Sequence, residues 1–330
     1  MNIKKRIEDA KKTVFKQSEE VKGKEIHGPD FNKEINLKEL LDSYEGIGFQ
    51  ASNLHKAVQI IKKMRKNNAK IYLAYTSGII SSGLRDIIRY LVENKHVDLL
   101  ITTTGGIEED IIKCLKPFIL GEFDVSGKEL REKAINRIGN ILVPNDRYIL
   151  FEEWINPILR ELLEEQKNGK TLTPSYIVKK FGGKINNKES VYYWAAKNNI
   201  PVYVPGILDG SIGDIIYFFK QSIPEFKIDV TQDMKDLIDF GLQAEKTGLI
   251  ILGAGIIKHT ACNVSQFRDG ADYAVYINAA QEFDGSDAGA TPDEAISWGK
   301  IKDKENTIKV FSDATLVFPL IVASAFKDEF

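Results

Sequence analysis

The sequence predicts an α/β fold in which a doubly wound, mostly parallel sheet carries helices on both faces. Short runs of β-branched and aromatic residues alternate with longer segments of helical periodicity, an alternation typical of parallel sheets. Glycine, serine and threonine follow several of these runs, as expected at the strand ends where such sheets bind ligands. With 330 residues, 43% of them hydrophobic, the chain can bury a full core.

The individual elements follow from this alternation. Between Asn36 and Asn67 apolar residues recur at helical spacing, and GIGFQ divides them into two predicted helices. Residues 1–25 are rich in lysine and glutamate, which is typical of a solvated arm, a loose helix or a disordered tail. Residues 120–200 are longer and more charged, and we interpret them as an insertion or cap with helices near 151–166 and 189–198. The predicted strands span residues 70–76, 97–104, 200–206, 226–230, 249–255, 271–279 and 307–312.

Composition excludes several classes of protein. The net charge is −2, from 45 basic and 47 acidic residues, so no global field attracts nucleic acid. Cys114 and Cys262 are too few for a four-cysteine zinc site, the four histidines are scattered, and we expect no metal. The charged N-terminus does not resemble a signal peptide, and no apolar run is long enough to span a membrane. We therefore expect a cytoplasmic protein.

Small and hydroxylated residues follow the predicted strands. Backbone N–H groups at such turns, where a helix begins, bind phosphate well, although turns favour glycine and serine for geometric reasons too. Several turns at one edge predict a nucleotide site, while GAGIIK lacks the third glycine of the dinucleotide fingerprint. The turns are Thr76-Ser77-Gly78, Thr103-Thr104-Gly105-Gly106, Asp209-Gly210-Ser211, Gly253-Ala254-Gly255 and Asp313.

An acidic stretch from Asp269 to Gly299 contains seven carboxylates and no Lys, Arg or His. One interpretation is a solvated loop. A calcium loop does not fit, because Ala288 and Ala295 stand where ligands are required. The third interpretation is a pocket for an organic polycation, whose ammonium groups need separated carboxylates.

Lys300 ends this stretch, beside Trp298. A desolvated amine loses its proton more readily and can then attack an imine or carbonyl, whereas nearby carboxylates favour the ammonium form. A solvated surface lysine is the alternative interpretation. His259, after the GAG turn, is either a packed residue or a base near the substrate.

Several longer segments carry distinctive sequence. They are GADYAVYINAAQEFDGSDAGATPDEAISWGKI, LDGSIGD, TTTGGIEEDIIKCL, GEFDVSGKELREKAINRIGN and ESVYYWAAKNNIPV. Together they resemble the deoxyhypusine synthase family, in register from about Gly28 to the C-terminus. The resemblance implies a single NAD-binding catalytic domain over residues 28–330, assembled as a homotetramer with active sites at subunit interfaces. It leaves residues 1–27 as an arm, for which we hypothesise a role in covering a neighbouring active site.

The resemblance also implies a reaction. NAD takes hydride from spermidine, 1,3-diaminopropane leaves, and the aminobutyl group forms an imine with an enzyme lysine. That group then passes to a lysine of the translation factor 5A precursor and is reduced to deoxyhypusine, the first step of hypusine synthesis.

By motif position, the resemblance implies roles for individual residues. The catalytic residues would be Lys300, as the imine-forming lysine, and His259, which would assist proton transfer. The substrate-binding residues would be Asp214, Asp287, Glu294, Trp298, Asn263, Gly285, Ser286, Glu108 and Glu109. The residues contacting NAD would be Ser77, Ser81, Thr103, Thr104, Gly105, Asp209, Ala279, Ala280, Asp284 and Asp313.

The chain departs from the family pattern at five positions: Gly78, Thr104, Ala254, Thr260 and Ala279. The family commonly has asparagine, alanine, glycine, histidine and threonine there. All but Thr260 lie near the implied cofactor contacts, so individual hydrogen bonds to NAD are in question. Thr260 leaves His259 as the single histidine of its segment.

Three other functions remain open from sequence alone. A homospermidine synthase would use the same residues and deliver the aminobutyl group to putrescine. An NAD-consuming deacylase would usually carry a four-cysteine zinc module, which two cysteines cannot supply. An inactive NAD-binding subunit is disfavoured, because Lys300, His259, Asp214, Asp287 and Glu294 are present together.

Overall fold

Six parallel strands form the main sheet of the computed structural model, which describes residues 3–327. The sheet order is β6-β2-β1-β7-β8-β9, so the chain moves outward from β1 in one direction and from β7 in the other. This reversal is the switch point at which doubly wound sheets bind ligands. The strands of the described chain are β1 (Lys70–Tyr75), β2 (Leu99–Thr102), β3 (Ile119–Leu120), β4 (Ile135–Ile138), β5 (Ile141–Pro144), β6 (Val202–Tyr203), β7 (Thr247–Leu252), β8 (Tyr273–Asn278) and β9 (Thr307–Phe311).

Helices connect the strands and cover the sheet. A single 3₁₀ turn, Gln266–Arg268, follows the thirteenth helix. The helices of the described chain are α1 (Ile3–Val14), α2 (Leu37–Ile47), α3 (Phe49–Lys66), α4 (Ser77–Ser81), α5 (Leu84–Glu93), α6 (Thr104–Leu115), α7 (Gly127–Glu132), α8 (Asp146–Lys167), α9 (Pro174–Ile185), α10 (Val191–Asn198), α11 (Ser211–Ser222), α12 (Val230–Leu242), α13 (Ile256–Ser265), α14 (Pro292–Ser297) and α15 (Ala314–Ala325).

The core lies on both faces of the main sheet, because successive side chains of a strand point to opposite sides. In β1, Ile71 and Leu73 join a large buried cluster with residues of α3, α5 and α15. Tyr72 and Ala74, on the other face, join a second cluster with residues of α12 and α13. The predicted fold class, with a parallel sheet covered on both faces, is confirmed.

Six of the seven predicted strands are present, and the strand predicted over residues 226–230 is wrong. The N–H of Lys227 donates to the Gln166 side-chain oxygen at 2.7 Å, and the N–H of Asp229 donates to the Leu172 carbonyl at 2.8 Å. Asp229 then caps the N-terminus of α12. The segment has an alternating apolar pattern, but its main-chain donors are used outside any sheet.

The inserted region contains a small antiparallel sheet in the order β3-β5-β4. The two helices predicted there are confirmed as α8 and α10, whereas α7, α9 and this sheet were not predicted. The strands have only two to four residues, too few for an alternating pattern to be visible.

The N-terminal arm lies at the surface. All side chains of α1 are exposed, and the N–H of His27 donates to the Gly46 carbonyl at 3.0 Å. Asn36 and Glu39 then form a capping box that begins α2. The boundary between residues 27 and 28 stays a prediction, and residues 1, 2 and 328–330 lie outside the described part. Between residues 3 and 327, no helix is both long and apolar enough to cross a membrane.

A buried ion pair joins three helices of the fold. Asp110 of α6 is fully buried and accepts hydrogen bonds from Arg85 Nε at 2.8 Å, Ser190 Oγ at 2.5 Å and the Val191 N–H at 3.1 Å. It thereby connects α6 to α5 and to the start of α10.

We predict that Asp110→Ala lowers the free energy of unfolding by about 3 kcal/mol or more, because Arg85 is left buried without its partner. Urea denaturation monitored by circular dichroism measures this loss. The control is Asp86→Ala, whose exposed carboxylate lies 3.7 Å from Arg85 Nη1 and should contribute about 0.5 kcal/mol or less. Equal losses for the two variants would contradict the assignment.

Candidate active site

The turns after β1 and β2 meet at the carboxyl edge of the main sheet. A Cβ on Gly105 would lie 2.7 Å from Ser77 Cβ, so glycine is required for this close approach. Thr103 is the N-cap residue of α6, yet its buried hydroxyl has no hydrogen-bond partner among residues 3–327. The two turns therefore pack closely together around an unpaired polar group, which is consistent with the predicted nucleotide site, and we call this part of the sheet edge the crevice.

Glu109 lies directly beneath this crevice. It accepts a short hydrogen bond from Ser81 Oγ, and one of its oxygens would be 3.5 Å from a Cβ on Gly105. Burial, with a smaller contribution from the neighbouring carboxylate of Glu108, raises the pKa of Glu109 to about 8 against the opposing effect of the hydrogen bond from Ser81. At neutral pH this position therefore holds a largely protonated carboxyl.

Glu108 connects α6 to the turn after β6. One of its oxygens accepts a hydrogen bond from the Ile212 N–H at 3.0 Å, in the first turn of α11. Burial raises the pKa of Glu108, while these N–H donors at the helix start favour its charged form. Thr104 Oγ1 also donates to the Gly206 carbonyl at 2.6 Å, a bond that alanine at this position would not make. The third predicted turn, with Asp209 exposed at its tip, is thus attached to the second.

Asp214 is exposed on the first turn of α11 and lines a separate open cavity. Within residues 3–327 no hydrogen bond or ion pair joins it to Lys300 or His259. The cavity of about 530 Å³ also involves β4 and α8 of the inserted region, through Asn136, Arg137, Tyr148 and Glu152.

The turns after β7 and β8 meet the β1 turn at the switch point. Gly253 has φ +90°, and a Cβ there would lie 2.7 Å from Thr76 Oγ1. Asn278 at the end of β8 donates to the Gly253 carbonyl at 3.3 Å and accepts from the Ala280 N–H at 3.1 Å. Asn278 was not predicted from sequence, although its polar side chain at a strand end was the available signal.

Two predicted cofactor residues are engaged locally. The Asp284 side chain accepts from the Ser286 N–H at 2.8 Å, which lowers the pKa of this exposed carboxyl. Asp313 caps α15 by accepting from the Thr315 N–H at 2.7 Å. In each residue the second carboxylate oxygen takes no part in these bonds.

Gly78, where the family commonly has asparagine, lies beside open space. A Cβ at this position would meet nothing within 4 Å, so the departure from the family pattern does not change a contact within the chain.

The acidic loop, residues 279–291, is held by two lysines that the sequence analysis did not identify. Lys258 of α13 is 2% exposed and donates to the carbonyls of Asp287 and Ala290. Lys309 of β9 donates to the carbonyls of Ala280 and Gly289 at 2.7 and 2.8 Å. Burial lowers the pKa of both lysines. The positive charges that the acidic sequence lacks are therefore supplied by α13 and β9.

His259 and Asp287 face one another beside this loop. His259 Nδ1 lies 3.6 Å from Asp287 Oδ1, and both side chains are partly exposed. The other oxygen, Asp287 Oδ2, is buried and has no hydrogen-bond partner in the described chain. His259 is therefore not a packed core histidine, and Asn263 lies half-buried one helical turn further along α13.

Lys300 is held by its main chain and half-buried at its side chain. Its N–H donates to the Ala295 carbonyl at 3.0 Å, and its carbonyl accepts from the Ala271 N–H at 3.0 Å. Its ammonium nitrogen lies 5.4 Å from the centre of the Trp298 ring. Both Trp298 and Glu294 are exposed on or next to α14.

The surroundings of Cys262 show that Lys258, Asp287 and Lys300 lie near one another, because all three charges act on its thiol. Burial raises the pKa of its thiol to about 11, with a hydrogen bond to Tyr276 and the charges of Lys258, Asp287 and Lys300 as further influences. Most of the predicted residues fall into two groups within one chain, whereas Asp214, Ala279, Ala280, Asp284 and Asp313 lie outside both. The crevice group contains Ser77, Ser81, Thr103, Thr104, Gly105, Glu108, Glu109 and Asp209, and the lysine group contains His259, Asn263, Gly285, Ser286, Asp287, Glu294, Trp298 and Lys300.

Comparison with known proteins identifies what the chain is similar to. The model of the family described as deoxyhypusine synthase matches residues 39–325. A Schizosaccharomyces pombe protein assigned to deoxyhypusine synthase is 50% identical over 92% of this chain and 93% of its own length. Deoxyhypusine synthase from Senecio vernalis is 49% identical over 97% and 94%. A crystal structure assigned to deoxyhypusine synthase from Entamoeba histolytica is 34% identical, covers 91% and 96%, and has a TM-score of 0.64.

We predict that Lys258→Met loosens the acidic loop, because two carbonyls lose a charged donor while the buried volume is nearly kept. Amide hydrogen exchange over residues 281–291 should accelerate by at least about tenfold. Lys304→Met is the control, since Lys304 is an exposed lysine 3.4 Å from Asp293. Unchanged exchange in Lys258→Met would show that the loop holds its shape without this lysine.

We predict that Glu109 makes stability fall as pH rises. Its pKa of about 8 lies above the ordinary value of 4.5, so its contribution is complete below pH 4.5 and is lost as pH rises through 8. Between these values the unfolding free energy should fall by up to about 1.4 kcal/mol per pH unit more than in Glu109→Gln. Urea denaturation from pH 5 to 8 measures this, with exposed Glu153→Gln as the control. Parallel curves for the wild type and Glu109→Gln would contradict a raised pKa.

Proposed function

This chain belongs to the deoxyhypusine synthase family, whose members are transferases of hypusine formation, and from this premise we propose its substrates and mechanism. It transfers the aminobutyl group of spermidine to one lysine of the translation factor 5A precursor, with NAD as cofactor, and releases 1,3-diaminopropane. The observation that carries the proposal is the half-buried Lys300 against Trp298. The charge of this lysine acts on the buried thiol of Cys262 together with that of Asp287 in the acidic loop.

NAD fits the crevice at the switch point. The hydroxyl of Thr103, which has no hydrogen-bond partner among residues 3–327, supports a polar ligand at these turns. Hydride acceptance and hydride return are the chemistry that NAD supplies. The proposed contacts are Ser77, Ser81, Thr103, Thr104, Gly105, Asp209, Ala279, Ala280, Asp284 and Asp313.

Carboxylates recognise the ammonium groups of spermidine. The free oxygen of Asp287 and the exposed Glu294 lie in the lysine group, and a charge-assisted hydrogen bond to each favours a polyamine over a neutral alcohol or amide. Glu108, Glu109 and Asp214 belong to other parts of the chain. A homotetramer with active sites between subunits would bring the crevice group of one copy to the lysine group of another, and we propose this assembly. Within it, residues 1–27 would cover a neighbouring site.

Lys300 carries the fragment. Its neutral amine attacks the oxidised carbon next to the secondary nitrogen of the polyamine, the carbon–nitrogen bond to 1,3-diaminopropane breaks, and this amine leaves with the electron pair and a proton. The acceptor lysine then displaces Lys300 by the same exchange. Two main-chain hydrogen bonds fix the backbone of Lys300, and its side-chain nitrogen lies 5.4 Å from the centre of the Trp298 ring, which favours attack at one carbon.

His259 moves the protons of these exchanges. Its half-exposed ring beside Asp287 can take a proton from an attacking amine and return it to the leaving amine. Asp287, whose Oδ1 lies 3.6 Å from His259 Nδ1, orients the ring. Asn263, Gly285, Ser286 and Trp298 complete the proposed substrate-binding surface.

The molecule that accepts the aminobutyl group distinguishes two possible functions of the same residues. Putrescine as acceptor would make the chain a homospermidine synthase with the same residues. Spermidine labelled in the butyl carbons, offered with NAD and either acceptor, should label the factor precursor. Label on putrescine alone would overturn the proposed acceptor and leave the imine mechanism intact.

We predict that Lys300→Arg abolishes transfer to the factor but retains part of the spermidine-dependent NADH formation, because hydride removal does not require the imine. Borohydride should trap an adduct on Lys300 of the wild type only when NAD and spermidine are both present. Lys302→Arg is the matched control, since Lys302 is two residues away and paired with Asp272 at 2.7 Å. Transfer at the wild-type rate by Lys300→Arg would exclude the role of this lysine.

A further inference from the structure

A cavity of about 370 Å³ lies beside the edge strand β6, between α9, α10 and α12. None of the residues predicted for the active site lines it. Its volume lies within the usual range for small-molecule sites, and nothing in the proposed transfer reaction uses it.

The lining combines an apolar wall with a polar mouth. Val178, Ala195 and Val202 are buried in the wall. Hydroxyl groups of Thr171, Thr173 and Ser175 lie around the start of α9. Such a lining fits a ligand with an apolar body and one polar end.

Two lysines set the charge at the mouth. The Lys170 ammonium lies 4.4 Å from the centre of the Tyr176 ring, and Lys179 donates to the Asn199 side chain at 3.1 Å. Neither lysine forms an ion pair with a carboxylate in the described chain. The one acidic residue of the lining, Asp236, accepts a hydrogen bond from Gln232 at 2.7 Å. The lining therefore has one net positive charge and ammonium groups available to an anion.

Tyr192 connects the cavity to the crevice group. It is one of the lining residues, and its buried hydroxyl donates to the Gly106 carbonyl at 2.8 Å and lies 3.0 Å from the Tyr75 hydroxyl. Gly106 follows Gly105 in the first turn of α6, and Tyr75 is the last residue of β1. A displacement of the Tyr192 ring would move both turns that border the crevice.

We propose that this cavity binds a small organic anion with an apolar body, and that Tyr192 transmits its occupancy to the crevice between the β1 and β2 turns. The transmission to the crevice rests on the proposed NAD site. Binding of the anion does not depend on that site, so binding and transmission are tested separately.

Isothermal titration of the full chain with phenyl phosphate tests the binding. Phenol and inorganic phosphate are the controls for the ligand, because each carries one half of its chemistry. Phenyl phosphate should bind at least about tenfold more tightly than either control. Lys179→Met should weaken its binding by about tenfold, through loss of one charged hydrogen bond, and exposed Lys188→Met should not. No binding of phenyl phosphate, or equal binding by Lys179→Met, would overturn the site.

Titration of NAD with and without saturating phenyl phosphate tests the connection. The dissociation constant of NAD should change by about fivefold or more in the wild type. It should stay unchanged in Tyr192→Phe, which removes only the hydroxyl that contacts Gly106 and Tyr75 and should bind phenyl phosphate like the wild type. An equal shift in both proteins, or none in the wild type, would overturn the connection through Tyr192. Failure of NAD to bind at all would count against the proposed function and leave the phenyl phosphate result standing.

Discussion

The close contact between the β1 and β7 turns is the constraint on which the candidate site depends. Gly253 reaches a positive φ and approaches Thr76 so closely that a Cβ would overlap its hydroxyl. This contact lets two strands that are distant in sequence lie side by side at the reversal of strand order. The turns after β2 and β8 then join the same edge through Gly105 and Asn278. The crevice that we propose for a dinucleotide has no three-glycine fingerprint, and glycines of separate turns bring its borders together instead.

Electrostatics divides the site into two parts with different charge. Beneath the crevice, burial holds Glu109 largely protonated. The carboxylate of the adjacent Glu108 accepts a hydrogen bond from the Ile212 N–H in the first turn of α11. Beside Lys300 the carboxylates of Asp287 and Glu294 are more exposed. A cationic substrate can pair with the second group, because Asp287 keeps one oxygen unpaired and Glu294 is exposed. This division matches the proposed reaction, in which a cofactor and a polyamine occupy adjacent but distinct positions.

Most of the main sheet was predictable from sequence, because buried parallel strands are continuous apolar runs and their turns carry glycine and serine. The segment 226–230 alternates apolar and polar residues, a pattern that also predicts a strand, but its main chain forms hydrogen bonds to Gln166 and Leu172 instead of joining a sheet. The acidic loop was recognised as unusual, but Lys258 and Lys309 were missed because their partners are main-chain carbonyls, which leave no trace in sequence. Asp110 was missed for a similar reason, since its three partners come from distant segments.

The arrangement of Lys258 explains how the acidic loop and the proposed imine-forming lysine coexist. If the three carboxylates of the loop, Glu282, Asp284 and Asp287, were free to move, one of them could close an ion pair with Lys300 and draw its side chain away from the substrate. Lys258 and Lys309 bind the loop by its carbonyls rather than by its carboxylates. The side chain of Asp287 is therefore fixed toward His259 with one oxygen still unpaired. Negative charge remains available to the substrate at a set distance, while Lys300 stays against Trp298 instead of closing an ion pair of its own.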